Sequence, residues 1–369
     1  MMSQPANNVS KRLFSLDVFR GLTMFLLIAE AAGFHHNFSE LVKDNSMLSS
    51  IAHQLHHHPW NGLRFWDLIQ PFFMFIVGVA MPFSLRKRLA TGTRKAATRH
   101  IFQRCFLLFV FGVLLHCVYS HTLVWELWNV LVQLAFTILI AYALMGLPHK
   151  AQIAVSVGLL VLSEVLYRVY NPADPFNKGD SFGSFTDMIV MGKINDGGWV
   201  FVNFIPTAAH TIWGVICGQI LLSQKSGREK IKPFIIWGGI LLFLGYALDI
   251  SGITPIVKRI ATSSFTLASG GWAVLTLALF YWWIDLLGNH KKWLRIFSVV
   301  GTNSIFIYLF AETVGIQWFR GFGKIFTNGL LSPLGISENV IMVINALFVL
   351  FMFWSITYFL DKKKVYFKV

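Results

Sequence analysis

The residues best suited to chemistry are concentrated between His57 and Pro71, where the chain reads HHPWNGLRFWDLIQP at the start of a long apolar segment. Imidazole titrates near neutral pH, so His57 can serve as a general base. A carboxylate such as Asp67 can orient an imidazole, the indole of Trp60 offers a flat apolar face, and Asn61 can donate to an oxyanion. This combination predicts an active site where a membrane-spanning helix meets water.

The histidines of this segment do not favour a metal site. His53 and His57 have the i,i+4 spacing of two ligands on a helix. Neither a carboxylate nor a cysteine nearby completes a ligand set, and Pro59 breaks a helix just after them. We therefore predict a histidine base and no metal.

The composition is that of a membrane protein. Hydrophobic residues make up 55% of the chain, charged residues 13%, and the mean hydropathy is +0.61. A soluble domain carries about twice that charged fraction. The net charge of +14 comes from short basic blocks between apolar segments, which is a topology signal and argues against nucleic acid as a partner. The three cysteines lie in apolar runs and form neither a disulfide framework nor a zinc motif.

The apolar segments predict an all-α polytopic membrane protein of about ten transmembrane helices in one bundle. Each span needs about 20 largely apolar residues. We predict that residues 1–369 form a single transmembrane domain, with a cytoplasmic segment at 1–12 and a cytoplasmic tail at 361–369. The loops at about 35–66 and 171–198 are too short to fold alone and are expected to lie over the bundle. The predicted spans are 13–34, 67–85, 102–120, 128–147, 151–170, 199–222, 233–250, 263–285, 294–315 and 340–360.

The basic residues predict that both termini lie in the cytoplasm. With the N-terminus inside, the inner segments hold 21 Lys and Arg residues and the outer segments hold 9. Cytoplasmic loops are normally the richer in Lys and Arg. In this N-in, C-in arrangement the segment that contains His57 opens on the outer face.

Several charged and polar residues fall inside predicted spans, where a charge costs on the order of 3 kcal/mol. Asp17 and Arg20 share one face of the first span and either form an i,i+3 ion pair or contact a cytoplasmic substrate. Glu30 lies further out on that span, towards the end that contains His57. Asn303 and Ser304 lie within the ninth span and could line the same cavity. Such residues mark a functional interior or a bundle held together by polar contacts.

Short motifs in order along nearly the whole chain resemble a known family. They are SLDVFRG at Ser15–Gly21, HxxWNG at His57–Gly62, DLIxP at Asp67–Pro71, IPTAAHTIWGVICGQIL at Ile205–Leu221, PIVKRIATSSFTL at Pro255–Leu267 and GTNSIFIYLF at Gly301–Phe310. Together they resemble heparan-α-glucosaminide N-acetyltransferase and its bacterial relatives, within the wider transmembrane acyltransferase superfamily.

This resemblance implies transfer of an acetyl group from cytoplasmic acetyl-CoA to the amine of a glucosamine-type sugar on the outer face. The location it implies is the bacterial inner (cytoplasmic) membrane. The family's catalytic histidine precedes the Trp of HxxW by three residues, which is His57 here. Asp67 or Glu30 would orient the imidazole. Glu30 stands where the animal enzyme has a functional asparagine, a departure that concerns the acceptor.

A central tunnel would carry the pantetheine arm of acetyl-CoA, the co-substrate, from the cytoplasm to His57. We expect Arg86, Arg88 and Arg104 to hold its phosphates, with Asp17 and Arg20 at the inner mouth.

On the acceptor side, Trp60 would stack against a sugar ring. The oxyanion donor would be either Asn61 or Asn303 with Ser304. Lys258 would contact an acidic acceptor or anchor its own loop. The partners are thus acetyl-CoA, an amino sugar or oligosaccharide, and membrane lipid, with a homodimer as a further expectation.

Three alternatives stay open at this point. An O-acetyltransferase of an envelope glycan would use the same His57 and tunnel with a hydroxyl acceptor. A secondary transporter of a sugar would also be polytopic, but the chain has no inverted repeat. Within acetyl transfer, direct attack is preferred over an acetyl-His57 intermediate because proximity in one tunnel alone lowers the barrier by several kcal/mol.

Overall fold

A computed structural model describes residues 13–367. The cytoplasmic segment predicted at 1–12, and residues 368 and 369 of the predicted tail, lie outside the described residues. Within 13–367 the chain is helical, with one isolated antiparallel bridge, between Asn61 and Val257. The α-helices of the described part are α1 (Phe14–Ala31), α2 (Phe34–Val42), α3 (Ser46–His53), α4 (Ile69–Thr91), α5 (Arg94–Ser120), α6 (Val130–Leu144), α7 (His149–Tyr170), α8 (Phe182–Met191), α9 (Phe204–Leu222), α10 (Gly227–Ile250), α11 (Ser263–Phe280), α12 (Arg295–Thr302), α13 (Ser304–Phe310), α14 (Arg320–Leu331) and α15 (Glu338–Lys362).

The prediction of an all-α polytopic membrane fold is confirmed. Every predicted span coincides with a helix or a pair of helices. Seven helices of the described part are long and apolar enough to cross a membrane, and a bent pair brings the number to eight. The first and fourth predicted spans are not among these eight, because helix α1 carries three charged residues and helix α6 has only 15 residues.

The ninth predicted span, 294–315, is broken rather than continuous. Helix α12 ends at Thr302, and the helical segments from Ser304 to Leu334 leave it at an angle of 72°. Asn303 has left the helical region at the break, with φ −120° and ψ 40°. A π-helical stretch, Ala311–Phe319, then joins α13 to α14. Such breaks at membrane depth occur where the chain is covered by protein or lines a cavity.

Helix α4 lies at the centre of the bundle against α9. In the apolar stretches of both spans, Phe65–Thr91 and Phe201–Leu222, 72% of the residues are buried, against 17% for α10. Glycines allow the two backbones to touch: a Cβ on Gly78 would lie 2.1 Å from the carbonyl oxygen of Thr211. Small residues at such crossings are a general feature of membrane helix packing. The central position of α4 matters because this helix carries the candidate site.

The segments between spans cover one end of the bundle. Helices α2 and α3 occupy the loop predicted at 35–66, and α8 occupies the loop predicted at 171–198. All three helices lie at the end of the bundle where α1 ends and α4 begins, which we call the His57 end. The turn between α4 and α5 and the start of α12 lie at the opposite end, which we call the basic end.

Candidate active site

The carboxylate of Asp67 organises the loop that carries His57. A short 3-10 turn, Phe65–Leu68, precedes α4, and Asp67 is fully buried in it. One carboxylate oxygen, Oδ2, accepts the backbone N–H groups of Arg64 at 2.9 Å and His58 at 3.1 Å. The other, Oδ1, lies 2.9 Å from Nδ1 of His57. The loop 57–67 therefore closes on one carboxylate, which fixes the imidazole.

A second segment brings Lys258 to the same place from 201 residues away in sequence. The amide of Gly62 donates to the carbonyl of Ile256 at 2.8 Å, next to the bridge between Asn61 and Val257. This pairing lays the 255–262 loop beside His57. Lys258 Nζ then lies 3.0 Å from His57 Nδ1 and 3.7 Å from Asp67 Oδ1.

The three groups fix the state of the imidazole. We assign the tautomer in which Nδ1 of His57 donates to the buried Asp67 Oδ1, which leaves Nε2 with a lone pair. In this tautomer Lys258 acts on the imidazole through its charge and not as a hydrogen-bond donor to Nδ1. Burial, and next the charge of Lys258, lower the pKa of His57 to about 4. Burial likewise lowers the pKa of Lys258 to about 8. At neutral pH His57 is thus a neutral base oriented by a carboxylate, as in hydrolase triads.

His57 opens into a cavity of about 380 Å³, which we call the outer cavity. Trp199 forms one wall: its ring meets the imidazole edge-on at a centroid distance of 5.6 Å and lies 5.5 Å from Lys258 Nζ. The volume falls in the range of small-molecule sites. The lining residues used below are Glu30, His57, Trp66, Gln70, Phe73, Tyr119, Trp128, Leu131, Gln133, Trp199, Lys258, Ile305 and Glu312.

Two carboxylates face this cavity from the bundle side. Glu312 accepts a hydrogen bond from the hydroxyl of Tyr119 at 2.7 Å. Glu30 lies at the end of α1, where Arg320 donates to the carbonyl oxygens of Glu30 at 3.2 Å and Ala31 at 2.8 Å. The cavity thus combines two carboxyl side chains with aromatic walls, a combination that suits a polar, ring-shaped ligand.

A second cavity, of about 210 Å³, lies between the outer cavity and the basic end, and we call it the inner cavity. Arg20, Arg104, Ser84 and Ser304 supply its polar lining. Arg104 Nε is buried and has no hydrogen-bond partner among residues 13–367. Guanidinium groups in an apolar pocket are suited to phosphate oxygens.

Three apolar side chains line both cavities: Phe73, Leu131 and Ile305. They come from α4, α6 and α13 and stand between the two cavities, and we call these three side chains the constriction. One face of α4 lies beside the constriction and contributes Phe73 to it. The stripe Gln70, Phe73, Val77, Ala80 and Ser84, at steps of three or four residues, begins three residues after Asp67 and lines first the outer cavity and then the inner cavity.

The structure brings together several residues singled out by sequence. His57, Glu30 and Lys258 line the outer cavity, and Asp67 holds His57 from behind. Of the two carboxylates considered for orienting the imidazole, Asp67 makes the contact. A second group of predicted residues lines the inner cavity: Arg20, Arg104 and Ser304.

Trp60 and Asn61 lie elsewhere, so their predicted contacts with the acceptor beside His57 require correction. Both line a separate surface cavity. Trp60 donates from Nε1 to the carbonyl of Phe176 at 3.2 Å and packs in a small apolar cluster there. Asn61 makes the bridge to Val257. Successive residues of an extended segment point in different directions, so closeness in sequence to His57 did not place them in its cavity.

Asn303 also requires correction as an oxyanion donor. Its Nδ2 donates to the carbonyl of Val365 at 3.0 Å, and its Oδ1 accepts the amide of Phe367 at 2.9 Å, so it fastens the end of the chain. Ser304 lies in the inner cavity and not beside His57.

The remaining predicted acetyl-CoA contacts divide between two places. Asp17 forms the predicted i,i+3 ion pair with Arg20 at 2.9 Å and lines a cavity at the basic end. Arg88 is half-buried one turn beyond Ser84 on the stripe of α4, near the inner cavity, whereas Arg86 is exposed and lies off that stripe.

Gln70, Gln133, Glu312 and Trp199 also line the outer cavity, and none of them was predicted as a site residue from the sequence. Gln70 could have been found from its i+3 spacing to Asp67, and Gln133 as a polar residue in an apolar helix. Trp199 follows a glycine-rich loop, and nothing in that segment indicates proximity to His57.

Comparison with known proteins identifies the family. The profile described as heparan-alpha-glucosaminide N-acetyltransferase, catalytic, matches residues 12–250, which contain His57, Asp67, Gln70 and Gln133. A search of curated proteins finds no match to this chain. Because the family match covers more than half of the sequence, the chain belongs to the heparan-α-glucosaminide N-acetyltransferase catalytic family and is a membrane acetyltransferase of that family.

Proposed function

We propose that this protein transfers an acetyl group from cytoplasmic acetyl-CoA to the amine of a glucosamine-type sugar at the outer face of a bacterial inner membrane. The observation that carries the proposal is the pair of cavities that meet at Phe73, Leu131 and Ile305. One contains an oriented neutral histidine, and the other contains two arginines. Such a pair suits a reaction whose anionic donor and sugar acceptor approach from opposite sides.

On the donor side, the nucleotide of acetyl-CoA would stay at the basic end, with Arg20, Arg104 and Arg88 near its phosphates. The slender pantetheine arm would pass along the α4 stripe. Its thioester would cross the constriction and enter the outer cavity below His57. A path of this kind needs apolar walls and cations only at its inner mouth, which is the distribution along α4 from Phe73 to Arg88.

On the acceptor side, the sugar ring would lie against Trp199 in the outer cavity. In their ionised forms Glu30 and Glu312 would favour an ammonium group over a neutral hydroxyl there, because a low-dielectric cavity strengthens their attraction for a cation. The positive charge of Lys258 disfavours an ammonium group close to His57, so the amine would have to lose its proton before it attacks. These contacts favour the amine acceptor over the hydroxyl acceptor of an O-acetyltransferase.

His57 Nε2 would remove the proton from the amine as it attacks the thioester. Asp67 holds Nδ1 and stabilises the imidazolium that forms, as in other carboxylate-histidine pairs. With donor and acceptor in one cavity, direct transfer requires no covalent enzyme intermediate. A burst of CoA release in the absence of acceptor would contradict direct transfer.

The test uses purified protein in liposomes with labelled acetyl-CoA and glucosamine. We expect N-acetylglucosamine from the wild type and from His36→Ala, an exposed histidine outside the cavity, but not from His57→Ala. An O-acetylated product would replace the amine acceptor by a hydroxyl. Movement of sugar across the membrane without consumption of acetyl-CoA would overturn acetyl transfer in favour of transport.

A further inference from the structure

Two glutamines meet in the outer cavity between His57 and the constriction. Gln70 on α4 donates from Nε2 to Oε1 of Gln133 on α6, and both line the cavity. Gln133 is 1% exposed, whereas Gln70 is half-buried. A carboxamide at membrane depth is costly unless its groups find partners. The pair therefore calls for an explanation beyond packing.

The hydrogen bond between the two amides leaves some of their N–H groups without an acceptor. Each carboxamide offers two N–H groups and one oxygen. The bond uses one N–H of Gln70 and the oxygen of Gln133, and neither amide has another hydrogen bond to residues 13–367. Exchanging the oxygen and nitrogen of both amides reverses the donor but still leaves one NH2 group without an acceptor. The pair thus presents free N–H groups in every assignment.

The position of the pair matches a specific step of the proposed reaction. Gln70 lies three residues after Asp67 and three before Phe73 on one face of α4. Three residues advance about 4.5 Å along a helix. A thioester that passes Phe73 would therefore reach the glutamines just before the imidazole of His57. Its carbonyl carbon would face the amine, and its oxygen would face the amides.

We propose that Gln70 and Gln133 form the oxyanion donor of acetyl transfer, an inference that rests on the proposed function. The amine lone pair bonds to the thioester carbon while the C=O π pair moves onto oxygen, which the free amide N–H holds. His57 Nε2 takes one proton from the attacking nitrogen. The oxyanion then re-forms C=O, the C–S bond breaks with its electron pair on sulfur, and His57 returns the proton to that sulfur. The products are the acetamide and CoA thiol.

The first measurement is kinetic. Met has nearly the shape of Gln and no donor, so Gln70→Met and Gln133→Met should each lower kcat by about 10² to 10³, the loss seen when an oxyanion donor is removed. KM for both substrates should change little, and the double variant should be no worse than the more severe single one because the two amides act as a unit. Gln152→Met is the matched control: Gln152 is fully buried and donates to Leu147 O at 2.8 Å, outside both cavities.

The second measurement does not depend on the acceptor. Infrared difference spectra of carbonyl-labelled acetyl-CoA bound to the protein report hydrogen bonding to the thioester oxygen. We expect a lower carbonyl frequency in the wild type and in Gln152→Met than in Gln70→Met or Gln133→Met. If Gln133→Met does not fold, the half-buried position of Gln70 allows Gln70→Met to decide alone.

Equal frequencies in wild type and variants would overturn the oxyanion role while leaving acetyl transfer intact. A loss confined to KM for the sugar would also overturn it, since the amides would then bind the acceptor. A wild type that binds no acetyl-CoA would overturn the proposed function and this inference together.

Discussion

At the scale of the residue, Lys258 controls the charge state of His57. Its Nζ lies 3.0 Å from Nδ1 of the imidazole and is 7% exposed. A buried ammonium beside an imidazole disfavours the imidazolium, and burial itself acts in the same direction. The pKa of His57 at about 4 keeps the base unprotonated well below neutral pH. Asp67 opposes both effects through its hydrogen bond and its charge.

The substitution Lys258→Met should therefore make the enzyme sensitive to acid. Removal of the positive charge raises the pKa of His57 from about 4 towards its ordinary value of 6.5, so a growing fraction of the base is protonated below pH 6. We expect the ratio of variant to wild-type kcat/KM to fall as the pH is lowered from 7 to 5. This ratio cancels the titration of the acceptor amine, which both enzymes share.

Lys43→Met is the control for this experiment. Lys43 is exposed and forms a long ion pair with Glu40 at 3.5 Å. The ratio of kcat/KM of Lys43→Met to that of the wild type should therefore stay constant over the same pH range. A constant ratio for Lys258→Met as well would mean that Lys258 does not set the protonation of His57.

At the scale of the element, the 57–67 loop and the 255–262 loop depend on one glycine. Gly62 has φ +142°, and a Cβ there would lie 2.6 Å from Nε2 of His58. Its amide makes the hydrogen bond to Ile256 that holds Lys258 beside His57. Only glycine adopts such a backbone without strain.

Gly62→Ala should accordingly lower both Tm and kcat, because strain of the order of 1–3 kcal/mol is relieved by separating the two loops. Gly252→Ala is the matched control, since Gly252 also has positive φ, +72°, but open space around it. We expect the control to lose some stability and keep its kcat. Equal losses of kcat in both variants would mean that backbone strain alone lowers the activity and that the position of Lys258 is not the cause.

Three helices supply the constriction between the cavities, one side chain each. If acetyl-CoA passes between Phe73, Leu131 and Ile305, then Ile305→Trp should abolish acetyl transfer while leaving CoA binding at the basic end measurable. Phe73→Ala should instead widen the path and raise the rate with butyryl-CoA relative to acetyl-CoA. Ile138→Trp, fully buried on α6 away from both cavities, controls for overpacking. Acetyl transfer that survives in Ile305→Trp would exclude this path.

Helical periodicity explains which parts of the site could be predicted from sequence. The positions of Arg20 and Arg104 follow from their places on apolar helices, where the period of 3.6 residues fixes a face, and Asp67 directly precedes the apolar helix α4. Trp60, Asn61 and Trp199 lie on loops, whose directions depend on tertiary contacts that no periodicity records. Lys258 was singled out, but its contact with His57 depends on a pairing between distant loops. The break at Asn303 likewise depends on its contacts with Val365 and Phe367.

At the scale of the whole molecule, the distribution of charge and burial defines which surfaces meet lipid. Helix α4 is surrounded by protein, whereas α7 and α10 expose apolar faces along their lengths. These faces suit lipid or a second copy of the chain, and the homodimer stays a prediction. The basic residues concentrate at the end opposite His57, and from that asymmetry we predict the N-in, C-in topology.

Labelling of single cysteines tests this topology directly. Ser46→Cys and Ala96→Cys introduce exposed thiols at the start of α3 and near the start of α5, at the His57 end and the basic end respectively. The native Cys105 and Cys217 are buried, and Cys117 is half-buried, so the unmodified chain is labelled alongside to give the background. Because basic loops are retained in the cytoplasm, a membrane-impermeant maleimide should label Ser46→Cys in intact right-side-out vesicles and Ala96→Cys only in inverted ones. The reverse pattern would put His57 on the cytoplasmic side, where donor and acceptor would have to enter from the faces opposite to those proposed.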